Sequence, residues 1–230
     1  MSVNQNIKIA VDAIVFAYKD KKLFVLLIKQ KYGIFKNRWS LPGGLVLEKE
    51  PLTEAVHREL KEEAGISVNY LEQLYTFGDD IERDPRNRVI SVAYFALVNP
   101  NKLKLKADTD ALDAQWFEVD EVPELPFDHN KILDKAFERL QAKLHYQPIG
   151  FDLLPKRFPF SDIENLYKTI FKQNIERRNF RKKMLSFGFI EETEEMQQVG
   201  SGRPAKLFQF NEQKYKALEN KGFHFEIKFA

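Results

Sequence analysis

The chain has 230 residues, of which 43% are hydrophobic and 30% charged, with 10 Gly, 10 Pro and no Cys. This is the composition of a folded globular protein, and it excludes a disordered, collagenous or disulfide-stapled chain as well as thiol nucleophiles, Cys-ligated zinc and iron–sulfur clusters. The formal net charge is only +2, so any preference for an acidic partner must lie in how charge is distributed, not in its sum.

At roughly 150 residues per domain the length allows one large or two small domains. The polar start, Met1 to Lys8, lacks the plan of a secretory signal. The longest apolar runs fall far short of the roughly 20 residues that cross a bilayer, so a cytoplasmic protein without membrane partners is expected. Residues 7–18 and 23–30 are rich in Ile, Val, Leu and Phe and flank the polar Lys19-Asp20-Lys21-Lys22, which reads as a β-hairpin. A loop with Pro42-Gly43-Gly44 leads to a helix over 51–64, with Pro51 at its first position and Gly65 just past its end. Strands follow at 71–77, 89–98 and 114–119. A second helix runs over 130–144, with Asp128, helped by His129, placed to cap it. Mixed strands with two helices predict an α/β or α+β sandwich.

On the first helix Glu59, Glu62 and Glu63 stand at i, i+3 and i+4, so three like charges share one face. That crowding makes physical sense around a hard divalent cation such as Mg²⁺, which could polarise a phosphoryl oxygen. Arg58 and Glu50 form a natural ion pair that would fix the loop to the helix. The competing reading of such a Glu- and Lys-rich stretch is a solvated face. Ahead of strand 89–98, Arg83, Arg86 and Arg88 make a loop suited to phosphate or carboxylate by bidentate hydrogen bonding, and a solvated loop with internal ion pairs is equally open. Phe35 or Trp39 could line a pocket near the Gly-Gly loop. His57, His129, His145 and His224 form no metal-ligand spacing and read as structural. Asp79, Asp80 and Glu82 are candidate general bases, with nothing to single one out.

From Tyr146 the texture changes, and Pro148, Gly150, Pro155 and Pro159 punctuate a connector. The boundary falls there, giving domains 1–147, with a linker helix over 130–145, and 148–230. Residues 1–150 carry 21 basic and 23 acidic side chains, and residues 151–230 carry 15 and 11. Ser161-x-x-Glu164 is a capping box that predicts a helix over 161–171. A second helix over 174–187 holds Lys172, Arg177, Arg178, Arg181, Lys182 and Lys183 in or beside it, against Glu176 alone. Strands at 189–199 and 205–210 are joined by Gly200-Ser201-Gly202-Arg203-Pro204. Helix, basic helix, then hairpin is the order of a winged helix-turn-helix, in which Arg177, Arg178, Asn179, Arg181, Lys182 and Lys183 would meet double-stranded DNA in the major groove and Arg203 the adjacent backbone or minor groove. Dimerisation or protein binding is the alternative use of such a module, and Glu191, Glu192, Glu194 and Glu195 would repel phosphates.

Gly44, Glu50, Arg58, Glu59, Leu60, Glu62, Glu63, Gly65 and Ile66 match every fixed position of the Nudix box. The resemblance implies a Nudix α/β/α sandwich in which Gly44, Glu50, Arg58 and Gly65 are structural and the three glutamates hold Mg²⁺ in hydrolytic members. The chain also carries Asp84-Pro85-Arg86 with Arg88 to Tyr94, Phe127-Asp128-His129, Leu153-Leu154-Pro155, Arg178 to Lys183 and Gly202-Arg203-Pro204-Ala205. With these it resembles the Nudix-related transcriptional regulators, the NrtR-like family. That resemblance implies an α+β chain with a C-terminal winged helix: a homodimer sensing a small-molecule effector, ADP-ribose-like or a pentose derivative, and gripping a palindromic operator. A working pyrophosphatase, with Glu59, Glu62 and Glu63 catalytic, is the alternative, because the box is intact.

Overall fold

The computed structural model describes residues 5–106, 111–198 and 204–227. β1 (Lys8–Lys19) and β2 (Lys22–Gln30) are joined through Asp20 and Lys21, which both take positive φ. Paired left-handed residues are what a two-residue turn needs to match the twist of its strands. β1 then pairs in parallel with β6 (Val89–Val98), β5 (Tyr70–Phe77) adds to β6, and β7 (Ala111–Glu118) adds to β2. Two short strands that the composition does not announce, β3 (Trp39–Ser40) and β4 (Gly43–Leu45), pair with β2 and β1 and complete a seven-stranded sheet. From Val11 to Tyr18 nearly every β1 residue is buried, alternation being lost because both faces of the strand are covered.

α1 (Leu52–Ala64) packs Ala55, Val56, Leu60 and Ala64 against Val11, Ala13, Val15 and Ala17 of β1. Pro51 stands as its N-cap, one position earlier than expected, and Gly65 ends it at φ 69°, its N–H reaching the carbonyls of Leu60 and Lys61. A left-handed residue is needed there, and glycine adopts it without a Cβ penalty. α2 (His129–Tyr146) buries Ile132, Leu133, Ala136, Leu140 and Leu144 at helical spacing.

Two compact units divide the chain. One comprises residues 1–17 and 24–139, the other 18–23 and 140–230, so α2 begins in the first and ends in the second. In the second unit α3 (Phe160–Phe171) buries Ile163, Leu166, Tyr167 and Ile170. The expected capping box does not form: Pro159 is the N-cap, with no side-chain cap bond. Glu164 is instead buried, taking Lys168 at 2.7 Å and Arg177 at 3.2 Å. α4 (Arg177–Ser186) starts later than expected because Glu176 accepts hydrogen bonds from the amides of Arg178 and Asn179 and closes the helix there. β9 (Ile190–Gln197) and β10 (Ala205–Phe210) form the hairpin, β8 (Arg157–Pro159) pairs with β10, and α5 (Glu212–Glu219) follows. Phe151, Phe158, Phe189, Phe208 and Phe210 gather at the sheet, with Phe151 and Phe210 stacked at 4.4 Å.

Leu60 is fully buried under the first unit's sheet. Leu60→Ala is expected to cost about 2–5 kcal/mol. Both tryptophans, Trp39 and Trp116, lie in the first unit, so urea unfolding followed by their fluorescence isolates that loss.

Candidate functional site

The acidic helix is organised around one guanidinium. Arg58 Nε and Nη2 donate to Glu50 at 2.7 and 2.9 Å, Nη1 donates to Glu59 at 2.6 Å and Glu62 at 3.2 Å, and Nη2 reaches the carbonyl of Leu45 at 3.1 Å. Loop and helix are tied as the Glu50–Arg58 pairing predicts. A Cβ at Gly44 would collide with the Glu59 carboxylate, which explains glycine there. Glu63 accepts the Gly43 amide at 2.8 Å. The hydrogen bonds of Arg58, with the Leu47 amide, bring the Glu50 carboxyl down to about 2.

Beside the helix lies a cleft of about 520 Å³, wholly within the first unit. Glu59 and Glu63 line it, whereas Glu62 does not. Arg83 and Arg86 line it too, and Arg88 is used elsewhere, donating to the carbonyl of Gly78 at 2.6 Å and so holding its own loop. Arg83 is only 4% exposed and donates to both carboxylate oxygens of Asp128, at 2.9 and 2.6 Å, with Asp12 at 3.4 Å. Arg86 is half-exposed, pairs with Asp84 at 2.7 Å and covers the Phe127 ring at 5.1 Å. Burial pushes the Asp12 carboxyl up, but His129, Ser91 and Arg83 outweigh it and hold it below the usual carboxylate value.

Phe35 and Trp39 do not line the cleft: Phe35 packs edge-on to Phe127 and Trp39 to Phe117. Phe127 and Tyr32 take that place, with Lys8 and Lys31 among the lining cations. Nor do Asp79, Asp80 or Glu82 line it. Asp128 stands directly before α2, its carbonyl accepting the Ile132 amide at 3.1 Å, while its carboxylate takes Arg83, and His129 Nδ1 accepts the Leu41 amide at 3.0 Å.

On α4 the basic residues separate into two groups. Arg178, Asn179, Lys182 and Lys183 are exposed at i, i+1, i+4 and i+5, forming one outward face. Arg181 is instead laid over Phe160 and Phe208, at 4.6 and 5.0 Å, while Arg177, also exposed, reaches Glu164. The acids of β9 are largely matched: Glu191 meets Lys214 at 2.6 Å, Glu192 meets Lys206 at 3.1 Å, and Glu195 pairs with Arg157. Arg203 lies outside the described residues.

Residues 7–140 match the NUDIX domain and residues 150–210 match the NrtR DNA-binding winged helix domain. The chain is 35% identical, over 89% of its length and 82% of the relative's, to the ADPR responsive transcriptional repressor NtrR of Acinetobacter baylyi. It belongs to the NrtR family.

The NrtR relationship extends to the fold. The structure of Shewanella oneidensis NrtR complexed with a 27mer DNA superposes with a TM-score of 0.78 at 26% identity, covering 96% of this chain and 99% of that one. The Nudix domain of the same protein, complexed with ADP ribose, gives 0.56 at 33% identity over 60% of this chain and 90% of that one. An ADP-ribose pyrophosphatase of Methanocaldococcus jannaschii is 43% identical over 54% of this chain and 70% of its own. As in other NrtR chains, a Nudix domain is followed by a winged helix, and the chain is a ligand-responsive transcriptional regulator.

Carboxylate oxygens suit a hard divalent ion, and the Nudix domain relates this NrtR chain to enzymes of that chemistry. The side chains as placed do not gather around one point, however. Arg58 holds Glu59 and Glu62, the Gly43 amide holds one oxygen of Glu63, and among the described residues no three His, Asp or Glu stand close enough to hold an ion.

A carboxyl lowered from 4.5 to about 2 stabilises the fold fully above the unfolded value and loses that contribution as pH falls toward the folded one. Glu50→Gln is therefore expected to flatten the acid limb of first-unit stability between pH 4.5 and 2. Urea midpoints measured by tryptophan fluorescence along that range should show the gap between native and variant protein closing as pH falls.

Proposed function

We propose that the chain is an ADP-ribose-responsive transcriptional repressor: residues 1–147 sense the nucleotide in the Nudix cleft and residues 148–230 bind operator DNA. The outward face of α4 carries the reading, since four exposed polar and basic side chains over two turns match what a recognition helix lays in the major groove. Arg178, Lys182 and Lys183 contact phosphates or base edges, and Asn179 can read adenine. Arg203, at the wing tip in sequence, is assigned to the adjacent DNA backbone or minor groove. Arg181 braces the helix through the rings of Phe160 and Phe208, while Arg177 pairs with Glu164 and stays exposed.

In the cleft, Arg86 faces the diphosphate while Arg83 supports it from behind, and the volume suits a nucleoside diphosphate sugar. The bound partners of the S. oneidensis structures and the name of the A. baylyi repressor support ADP-ribose over a pentose. The protein acts as a homodimer on a palindromic site in the cytoplasm.

A second reading, pyrophosphatase activity alongside regulation, is favoured by the intact box and the M. jannaschii relative. Incubation with ADP-ribose and Mg²⁺ decides it: release of AMP that Glu63→Gln abolishes would establish turnover, and intact ADP-ribose would remove it.

Fluorescence anisotropy on a duplex from the upstream region of its own gene tests the principal reading. Arg178→Ala and Lys182→Ala are each expected to weaken binding at least tenfold, and a variant that no longer neutralises one phosphate should show a salt slope shallower by about 1. ADP-ribose should shift the native protein's affinity, and unchanged binding in both variants would overturn the assignment of α4.

A further inference from the structure

Three consecutive residues at the start of α2 are fixed at the cleft, Phe127 and His129 in its wall and Asp128 behind it. Phe127 adopts φ 58°, a left-handed conformation unfavourable for a bulky side chain. Its ring is gripped by Phe35 at 4.7 Å, His129 at 5.1 Å and the Arg86 guanidinium at 5.1 Å. Asp128 takes Arg83 bidentately. His129 accepts the Leu41 amide through Nδ1 and faces Asp12 through Nε2 at 3.4 Å. Arg83, Arg86, Phe127, His129 and Asp12 all line the cleft, while Asp128 stands behind them.

From His129 the chain continues as one unbroken helix. Arg139 ties it to Glu72 and to the carbonyl of Leu74, and from Leu140 it belongs to the second unit, where its end exchanges hydrogen bonds between His145 and Ile227. A backbone held off its preferred region by surrounding contacts is a place where two arrangements can differ little in free energy. A ligand that touches Arg86, Arg83 or Phe127 acts on those same contacts.

We propose that Phe127-Asp128-His129, clamped by the Arg83–Asp128 ion pair, is the coupling element that converts occupancy of the cleft by a nucleoside diphosphate sugar into a change in DNA affinity. Effector contact with the two arginines alters the clamp, the tripeptide resets, and α2 carries the change. Asp128 is thus a positioning residue for coupling. It is neither a ligand contact nor a DNA contact. The inference rests on the proposed regulator function.

The test uses the full chain, ADP-ribose and an upstream duplex, and measures ADP-ribose affinity by calorimetry and DNA affinity by anisotropy with and without ADP-ribose. Asp128→Asn is expected to keep DNA affinity without effector within about threefold and to retain ADP-ribose binding. Its ratio of DNA affinities with and without ADP-ribose should fall at least fivefold toward unity, and Asp128→Glu should restore part of it. Reciprocity requires that DNA lose its effect on ADP-ribose affinity by the same factor, and retention of each separate affinity distinguishes lost coupling from a merely structural defect. Phe127→Gly, which accepts positive φ, is expected to weaken coupling as well and serves if Asp128→Asn does not fold. An unchanged ratio in a folded variant overturns the coupling proposal alone, as does loss of ADP-ribose binding in Asp128→Asn. Absence of any response in the native protein overturns the regulator reading, and the proposal with it.

Discussion

An arginine with 4% of its side chain exposed must have its charge answered on the spot, and the architecture of the first unit follows from how Arg83 is answered. Stripping a guanidinium of water costs several kcal/mol, recovered only with close and well-oriented counter-charges. Asp128 supplies two of its hydrogen bonds and Asp12 a third contact. One lies at the threshold of α2, the other in the middle of β1, and Arg83 itself sits in the loop before β6. Three segments distant in sequence are therefore fixed at one point, and that point is the wall of the cleft. Charge compensation and ligand-site geometry are here the same problem with one solution.

Arg58 performs the equivalent service for the acidic helix. Three glutamates on one helical face would repel one another, and a single guanidinium spans two of them, Glu59 and Glu62, while also holding Glu50 and the Leu45 carbonyl. The spacing alone made this much legible, because Glu50 and Arg58 are separated by one loop and two helical turns and each is the other's obvious counter-charge. What spacing could not convey is that Arg58 also reaches Glu59 and Glu62, since a carboxylate triad reads the same whether it answers a side chain or an ion.

Most long elements were likewise visible in sequence, because their apolar periodicities are strong. The shortfalls have physical causes. The Ser161-x-x-Glu164 pattern is local, but Glu164 is drawn inward to Lys168 and Arg177, and tertiary pairing overrides the local cap. α5 buries none of its residues and so leaves no hydrophobic stripe, while β3, β4 and β8 are too short to show an alternation. Of the arginine loop, composition marked three residues alike, and only the fold separates a buried counter-ion, a cleft-facing cation and a loop brace. The roles of Asp128 and His129 were hidden because their partners, Arg83 and Leu41, lie 45 and 88 residues away. The acids of β9, which argue against DNA when read alone, are answered by Arg157, Lys206 and Lys214, so the hairpin carries less negative charge than its sequence suggests.

The division of α4 into braced and free cations bears on how such a protein can change its target. Arg181 belongs to the aromatic interior of its unit as much as to the surface, and its loss would disturb packing. Arg178, Asn179, Lys182 and Lys183 contribute nothing to that interior that would fix their identity, apart from the Lys183 contact with Phe187. Those four positions can drift or be exchanged together while the scaffold beneath them stays intact. On the proposed reading of α4, operator preference and fold stability fall to different residues of one ten-residue helix, leaving the lineage free to acquire new binding sites without rebuilding the domain that reads them.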